Sequence, residues 1–199
     1  DFPLFYLLQA TTKGLAAPQG IVDMYATRRE LEDGVISSHG DATNYFVTFA
    51  DNHDCTPRLR YEDPAEPHRF DDQVSLTLAV LLTLPGVPCV YYGTESGLSS
   101  APGTARELVR QALWGAPGAF DPAAQPFAPV LRQLSALRAR QPALRYGRHY
   151  FRPISGNGTS YGHSPFPGGV VAFSRLLAAT EVIVVANTCT TEVFRGHVL

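Results

Sequence analysis

The sequence predicts an α/β chain in which a parallel strand–helix–strand unit is followed by an antiparallel β region. Three observations carry this. Two short runs without polar alternation, Tyr45–Ala50 and Val87–Tyr92, flank a strongly apolar segment of helical length, Phe70–Leu84. Continuous apolar strands joined through a helix by short links are what a covered parallel crossover requires. Beyond Gly147 the pattern changes to short β-branched runs separated by turn clusters, which reads as antiparallel sheet.

Taken in order, the first thirty residues place Leu4, Leu7, Leu8 and Leu15, then Ile21, Met24 and Tyr25, in a loose helical pattern. After the polar segment 37–41 comes Tyr45-Phe46-Val47-Thr48-Phe49-Ala50, predicted as a strand buried on both faces and ending in Asp51-Asn52-His53-Asp54. Phe70–Leu84 is predicted as a helix with a wide buried face, with Asp71 and Asp72 suiting its N-terminal end. Pro85 and Gly86 stop it, and Val87–Tyr92 follows as a second fully buried strand opening into Gly93-Thr94-Glu95-Ser96. The same two residues and Pro88 interrupt the apolar stretch from Val74 to Tyr92, so it does not read as a membrane span.

A Gly-, Pro- and Ala-rich stretch, Gly115–Pro129, leads to a helix over Phe127–Arg140, closed by Pro142. Strands are predicted at His149–Arg152, Gly169–Arg175 and Glu181–Asn187, with a turn at Ser155-Gly156-Asn157-Gly158.

With 199 residues, 45% of them hydrophobic, and 16 basic against 18 acidic side chains, the composition is that of a soluble globular chain. The balanced charge gives no reason to expect a nucleic acid or an anionic membrane as partner. Cys55, Cys89 and Cys189 are odd in number and widely spaced, which supports neither a disulfide framework nor a zinc site and predicts buried thiols. His39, His68, His149, His163 and His197 are scattered without ligand spacing and are expected on the surface or in loops. Trp114 is expected to pack inside rather than to stack on a sugar. The start at Asp1, without Met or a leader pattern, reads as a cut inside a longer protein, and the compartment is left unassigned.

Parallel α/β folds carry their working groups just past the C-terminal ends of the strands, where Asp51–Asp54 and Thr94-Glu95 both fall. Two carboxylates, an amide and an imidazole in one short loop are costly unless each finds a partner or a use. Chemistry leaves three readings open: carboxylates for glycoside hydrolysis, a carboxylate–His metal site, or loop side chains that cap local backbone groups.

Phe49-Ala50-Asp51-Asn52-His53-Asp54 resembles the F-V-D-N-H-D signature that ends the seventh barrel strand in the α-amylase superfamily of glycoside hydrolases. Leu84-Pro85-Gly86-Val87-Pro88-Cys89-Val90-Tyr91-Tyr92-Gly93-Thr94-Glu95 is similar to that family's eighth strand and exit loop, and the tail from Leu144 to Asn187 resembles, more loosely, the β-domain that follows the barrel. The resemblance implies the last strands and helices of a (β/α)8 TIM barrel over residues 1–145 and an incomplete antiparallel β-sandwich domain over 146–199. It implies that Asp54 is the catalytic carboxylate that stabilises the transition state and that His53 binds the same sugar. Asn52, Tyr92 and Glu95 are expected around the substrate, with Asp51 forming the loop. The expected substrate is an α-glucan such as starch, glycogen or a maltooligosaccharide, cleaved or transferred with retention. No cofactor or metal is expected in this segment, although calcium is possible in the parent protein.

The family's nucleophile and general acid, which a retaining glycosidase holds about 5 Å apart, match nothing here and are expected upstream. The partner implied is therefore the missing N-terminal barrel half, and the isolated chain is expected to fold poorly and to be inactive. The alternatives are a non-catalytic carbohydrate-binding module or one half of a split enzyme.

Overall fold

A computed structural model of the chain describes every residue except 33–41, 62–64, 67, 101–104, 117 and 119. The polar segment at 37–41 and His39 therefore lie outside the described residues. The loose helical pattern at the start resolves into two helices, α1 (Phe2–Thr12) and α2 (Gln19–Glu32). Asp1 caps α1 by accepting the Leu4 N–H at 3.3 Å, and Arg28 of α2 donates to both of its carboxylate oxygens at 2.7 and 3.1 Å. This arrangement satisfies an orphan donor at a positive helix end. Leu4, Phe5, Leu8, Thr11 and Thr12 are the buried residues of α1, while Leu15 lies exposed beyond it.

Strand β1 (Val47–Phe49) and strand β2 (Val87–Cys89) pair in parallel, Val47 opposite Val87 and Phe49 opposite Cys89. Helix α3 (Asp71–Thr83) makes the connection. It buries Val74, Leu78, Val80, Leu81 and Leu82, an apolar surface worth about 1.5–3 kcal/mol per fully buried side chain. Asp71 and Asp72 stand in its first turn as the helix dipole favours. Leu84, next to Pro85, is already extended, as the residue before a proline is pressed to be. Gly86 then takes φ +106°, and a Cβ there would lie 2.8 Å from the Phe46 carbonyl oxygen, so only glycine lets the chain pass close beside β1.

Both parallel strands are shorter and more exposed than the sequence predicts. Tyr45, expected in the strand, instead ends a 3₁₀ turn over residues 42–45, Tyr45 and Phe46 are exposed, and Val47 and Val87 are each about half exposed. The physical reason is pairing: each strand has the other as its one neighbour in this two-stranded sheet, so an apolar run suited to two covered faces keeps one side open.

Helix α4 (Ala128–Arg140) and the short α5 (Pro142–Tyr146) follow, with no residue of α4 fully buried. Arg138 collects the carbonyls of Leu82, Gly86 and Leu144, each at 2.8 Å, pinning the turn between α3 and β2 to α5. The tail is antiparallel as expected. Strands β3 (Arg148–Phe151), β5 (Val170–Leu177) and β6 (Thr180–Asn187) form one sheet in the order β3-β5-β6, and β4 (Ile154–Ser155) pairs with β7 (His197–Val198). Arg175 of β5, fully buried, donates to the Thr83 carbonyl at 3.0 Å and to that of Gly147, so the sheet is tied to the C-terminal end of α3. One core runs through Leu4, Leu8, Ile21, Val74, Leu78, Leu81, Val171, Phe173 and Ala186 and is continuous across residue 146.

Five side-chain expectations change. Cys89 is exposed and Cys55 and Cys189 are partly so, all three as free thiols, because each lies in a loop or on the open sheet. Trp114 is 89% exposed, standing in an irregular segment. His149 is buried rather than superficial, since β3 turns it inward against the rings of Tyr25, Phe151 and Phe173. Among the described residues no helix is long and apolar enough to cross a membrane.

Candidate active-site loop

The register of β1 on β2 brings their two exit loops side by side, so residues 51–54 and 91–95 share one end of the parallel pair. The base of the first loop is tied down from below. Gln9 of α1 donates to the Ala50 carbonyl at 2.7 Å, at the point where β1 ends.

Within the loop the four polar residues divide by depth. Asp51 is buried; its Oδ2 accepts from the Thr94 hydroxyl at 2.8 Å and lies 3.2 Å from the Arg58 guanidinium, while Oδ1 accepts the Asn52 N–H. Burial pushes its carboxyl up, against the opposing pull of Arg58 and Thr94. Asn52 is buried too. Its Oδ1 accepts the N–H groups of Asp54 and Cys55 at 2.7 and 2.8 Å, an Asx turn that folds the chain back and lifts the next residues out. Its Nδ2 is buried without a hydrogen-bond partner among the described residues.

His53 and Asp54 are the pair presented to solvent, with side chains 60% and 49% exposed and His53 Nε2 3.2 Å from Asp54 Oδ2. Arg110, distant in sequence, donates from Nη2 to Asp54 Oδ1 at 3.1 Å and from Nε to the His53 carbonyl at 2.9 Å.

The second loop forms the wall. Tyr92 is partly exposed, but its hydroxyl is committed to the Gln111 carbonyl at 2.9 Å. Glu95 folds back to accept the Gly93 N–H at 2.9 Å, so it lies at the rim engaged with its own loop. Tyr91 is held with its phenol pushed up to about 12, chiefly by burial and then by its Tyr92 neighbour, and its ring lies 6.3 Å from that of His53.

Arg58 is the residue that organises both loops, and the sequence reading passed over it. It is fully buried, donates to the carbonyls of Val109 and Tyr92 and to the Gln111 side chain, and stacks over Tyr91 at 4.8 Å. The signal that could have found it is physical: a buried Asp51 demands a cation, and Arg58 and Arg60 are the first that follow it. Arg110 had no such signal, being 56 residues from Asp54.

The five expected site residues, Asn52, His53, Asp54, Tyr92 and Glu95, thus lie at one end of one strand pair. His53 and Asp54 alone point usable groups outward, an acceptor carboxylate beside an imidazole. Asp51 and Glu95 are both occupied, so neither stands as a second reactive carboxylate. No cluster of three or more His, Cys, Asp or Glu that could hold a metal ion occurs among the described residues. A cavity of about 760 Å³ opens elsewhere, between the segments around 154–170 and 187–195, and shares no residue with this loop.

A solvent-facing carboxylate and imidazole at the carboxyl end of a parallel α/β strand define a polar-ligand site of the kind such folds build. No family model matches the chain. It is 37% identical over 118 residues to a cyclomaltodextrin glucanotransferase of Paenibacillus macerans, which covers 58% of this chain and 15% of that protein. A cyclomaltodextrin glucanotransferase of Geobacillus stearothermophilus is 36% identical over 111 residues, 56% of this chain and 14% of the relative. Among solved structures, the α-amylase from H. orenii superposes on 94% of this chain and 38% of its own with a TM-score of 0.66 at 20% identity, a likeness of fold. The chain therefore spans about a seventh of the length of these curated relatives. It is thus similar in sequence to cyclomaltodextrin glucanotransferases and in fold to an α-amylase.

Proposed function

We propose that this chain is a C-terminal part of a retaining α-glucan-acting glycoside hydrolase or glucanotransferase and that it contributes the transition-state-stabilising carboxylate, Asp54. In this reading residues 1–145 are the last strands and helices of a (β/α)8 TIM barrel and 146–199 an incomplete β-sandwich domain. The parallel β1-α3-β2 unit and the antiparallel tail support that division. The observation that carries the function is the placing of Asp54 and His53. Asp51, Asn52 and Arg58 form a buried pedestal at the end of β1, and the two residues above it are left half exposed.

Asp54 accepts hydrogen bonds from the hydroxyls of the sugar at the cleavage point, and its negative charge favours the oxocarbenium-like distorted ring. His53 donates to the same sugar and holds it in register. Nucleophile and general acid come from the upstream barrel half, which is the partner of this chain. The names of the glucanotransferase relatives support an α-glucan as substrate, with transfer beside hydrolysis as an outcome.

The test is an Asp54→Asn exchange in the full polypeptide, assayed on soluble starch and maltooligosaccharides. A loss of at least about a hundredfold in kcat is expected, as for removal of a preorganised electrostatic group. Full activity in that variant would end this reading. The 199-residue chain alone is expected to release no reducing sugar. A second reading, a non-catalytic sugar-binding module, takes support from Trp114, whose exposed indole offers a face for a pyranose ring. Saturable maltooligosaccharide binding by the chain, abolished in Trp114→Ala with Asp54→Asn silent, would favour it.

A further inference from the structure

We infer that Arg110 is a positioning residue for the Asp54 carboxylate, clamping the tip of the loop from a different part of the chain; this rests on the reading of Asp54 just given. Both oxygens of Asp54 have protein partners: Oδ2 lies beside His53 Nε2 and Oδ1 accepts from Arg110 Nη2. Arg110 also grips the backbone one residue earlier through Nε and the His53 carbonyl. One rigid guanidinium thus bridges a main-chain acceptor and the carboxylate next to it, and fixes the carboxylate plane relative to the loop.

What separates Arg110 from an ordinary surface arginine is its anchorage on both sides. Val109 is fully buried, and its carbonyl accepts from Arg58 at 3.0 Å and from the Tyr91 hydroxyl at 3.3 Å. Gln111 accepts from the Tyr92 hydroxyl and from Arg58, and donates to the Ser99 carbonyl at 2.8 Å. The same Arg58 that neutralises Asp51 beneath the loop therefore sets the height of Arg110 above it. Each carboxylate oxygen retains a second lone pair for a sugar hydroxyl, so the clamp leaves the binding capacity of Asp54 in place while removing its rotational freedom.

Arg110 and Asp54 are each about half exposed. Their pair adds little to folding, under about 1 kcal/mol. A role in stability and a role in positioning consequently give different results in one experiment. The full polypeptide is prepared as wild type, Arg110→Ala, Arg110→Lys and Asp54→Asn, and kcat, KM and thermal midpoint are measured with maltooligosaccharide. Arg110→Ala is expected to lower kcat roughly ten- to a hundredfold, with the midpoint unchanged. Arg110→Lys, which keeps the charge and loses the two-point grip, should recover part of the loss. Unchanged kcat in Arg110→Ala, beside an inactive Asp54→Asn, overturns the inference and leaves the reading of Asp54 standing. An active Asp54→Asn overturns that reading itself. A rise in kcat on removing Arg110 overturns the inference by marking the pair as an obstruction.

Discussion

Lys13 offers a test of how the ground beneath the loop is built. It ends α1, is only 6% exposed, and points its ammonium over the rings of Tyr61 and Phe70 at 5.4 and 5.5 Å. Burial pulls its proton affinity down from the ordinary 10.5 to about 8, with the charge of Asp51 offsetting part of the effect. At about 1.36 kcal/mol for each tenfold change, that displacement corresponds to about 3 kcal/mol of unfavourable free energy for keeping the charge in the folded chain. The unfolded chain holds the proton up to about pH 10.5 and the folded chain lets it go near pH 8. Between these values the unfolded state binds more protons, and stability rises with pH. Lys13→Met keeps the packed stem without the charge. It is expected to be more stable than wild type by about 3 kcal/mol at pH 7, the gap closing towards zero near pH 10.5. Urea unfolding followed by far-ultraviolet circular dichroism measures this; Trp114, already exposed, is a poor probe. Titrations that do not couple to Lys13 cancel in the difference between the two proteins. A gap that does not change with pH, or a wild type that is the more stable at pH 7, would refute the argument and mean that the aromatic rings and Asp51 outweigh burial.

Arg58→Met should destabilise by about 3–5 kcal/mol, because it strands a buried carboxylate; the double variant with Asp51→Asn should recover part of this, and additive losses in urea melts would contradict the pairing. Asp71 is drawn the other way. Burial would raise its pKa, but hydrogen bonds from Arg60 and His68 outweigh that and hold it below the usual carboxylate range. Its contribution is therefore present above about pH 4 and lost as pH falls through the folded value, so the stability gap between wild type and Asp71→Asn should shrink in acid; a gap that widens there would reverse the sign. Gly86→Ala should cost about 1–3 kcal/mol, since φ +106° and the Phe46 carbonyl both oppose a Cβ; a melt superimposable on wild type would show that the turn can move.

Much of the frame was legible because the local signals agreed. Apolar residues at 74, 78 and 81 recur at helical spacing, Pro85 and Gly86 stop the run, and β-branched residues crowd 182–185, so α3 and β6 fall within a residue or two of expectation. Burial was not legible in β1 and β2. A strand's composition records how many neighbours it is suited to, and Val47, Val87 and Cys89 carry a pattern suited to more cover than one parallel partner gives. His149 failed for the converse reason: a lone histidine has no periodicity, and only the closing of β3 on β5 next to Tyr25 turns it inward.

The loop itself explains why its residue types could be read and their roles could not. Asp51 and Asp54 are the same side chain three positions apart, yet one is a structural anion and the other faces solvent. The difference is made by Asn52, whose side-chain Oδ1 captures two successive N–H groups and reverses the chain between them. Below that reversal Asp51 needs a buried cation, and Arg58 meets the need while reaching into the second loop and the 109–111 segment. Those contacts carry Arg110 to the top of the first loop. Asp54 is thus held in place by a chain of partners that begins at its buried twin, and the last link, Arg110, lies too far along the chain for any local pattern to reveal.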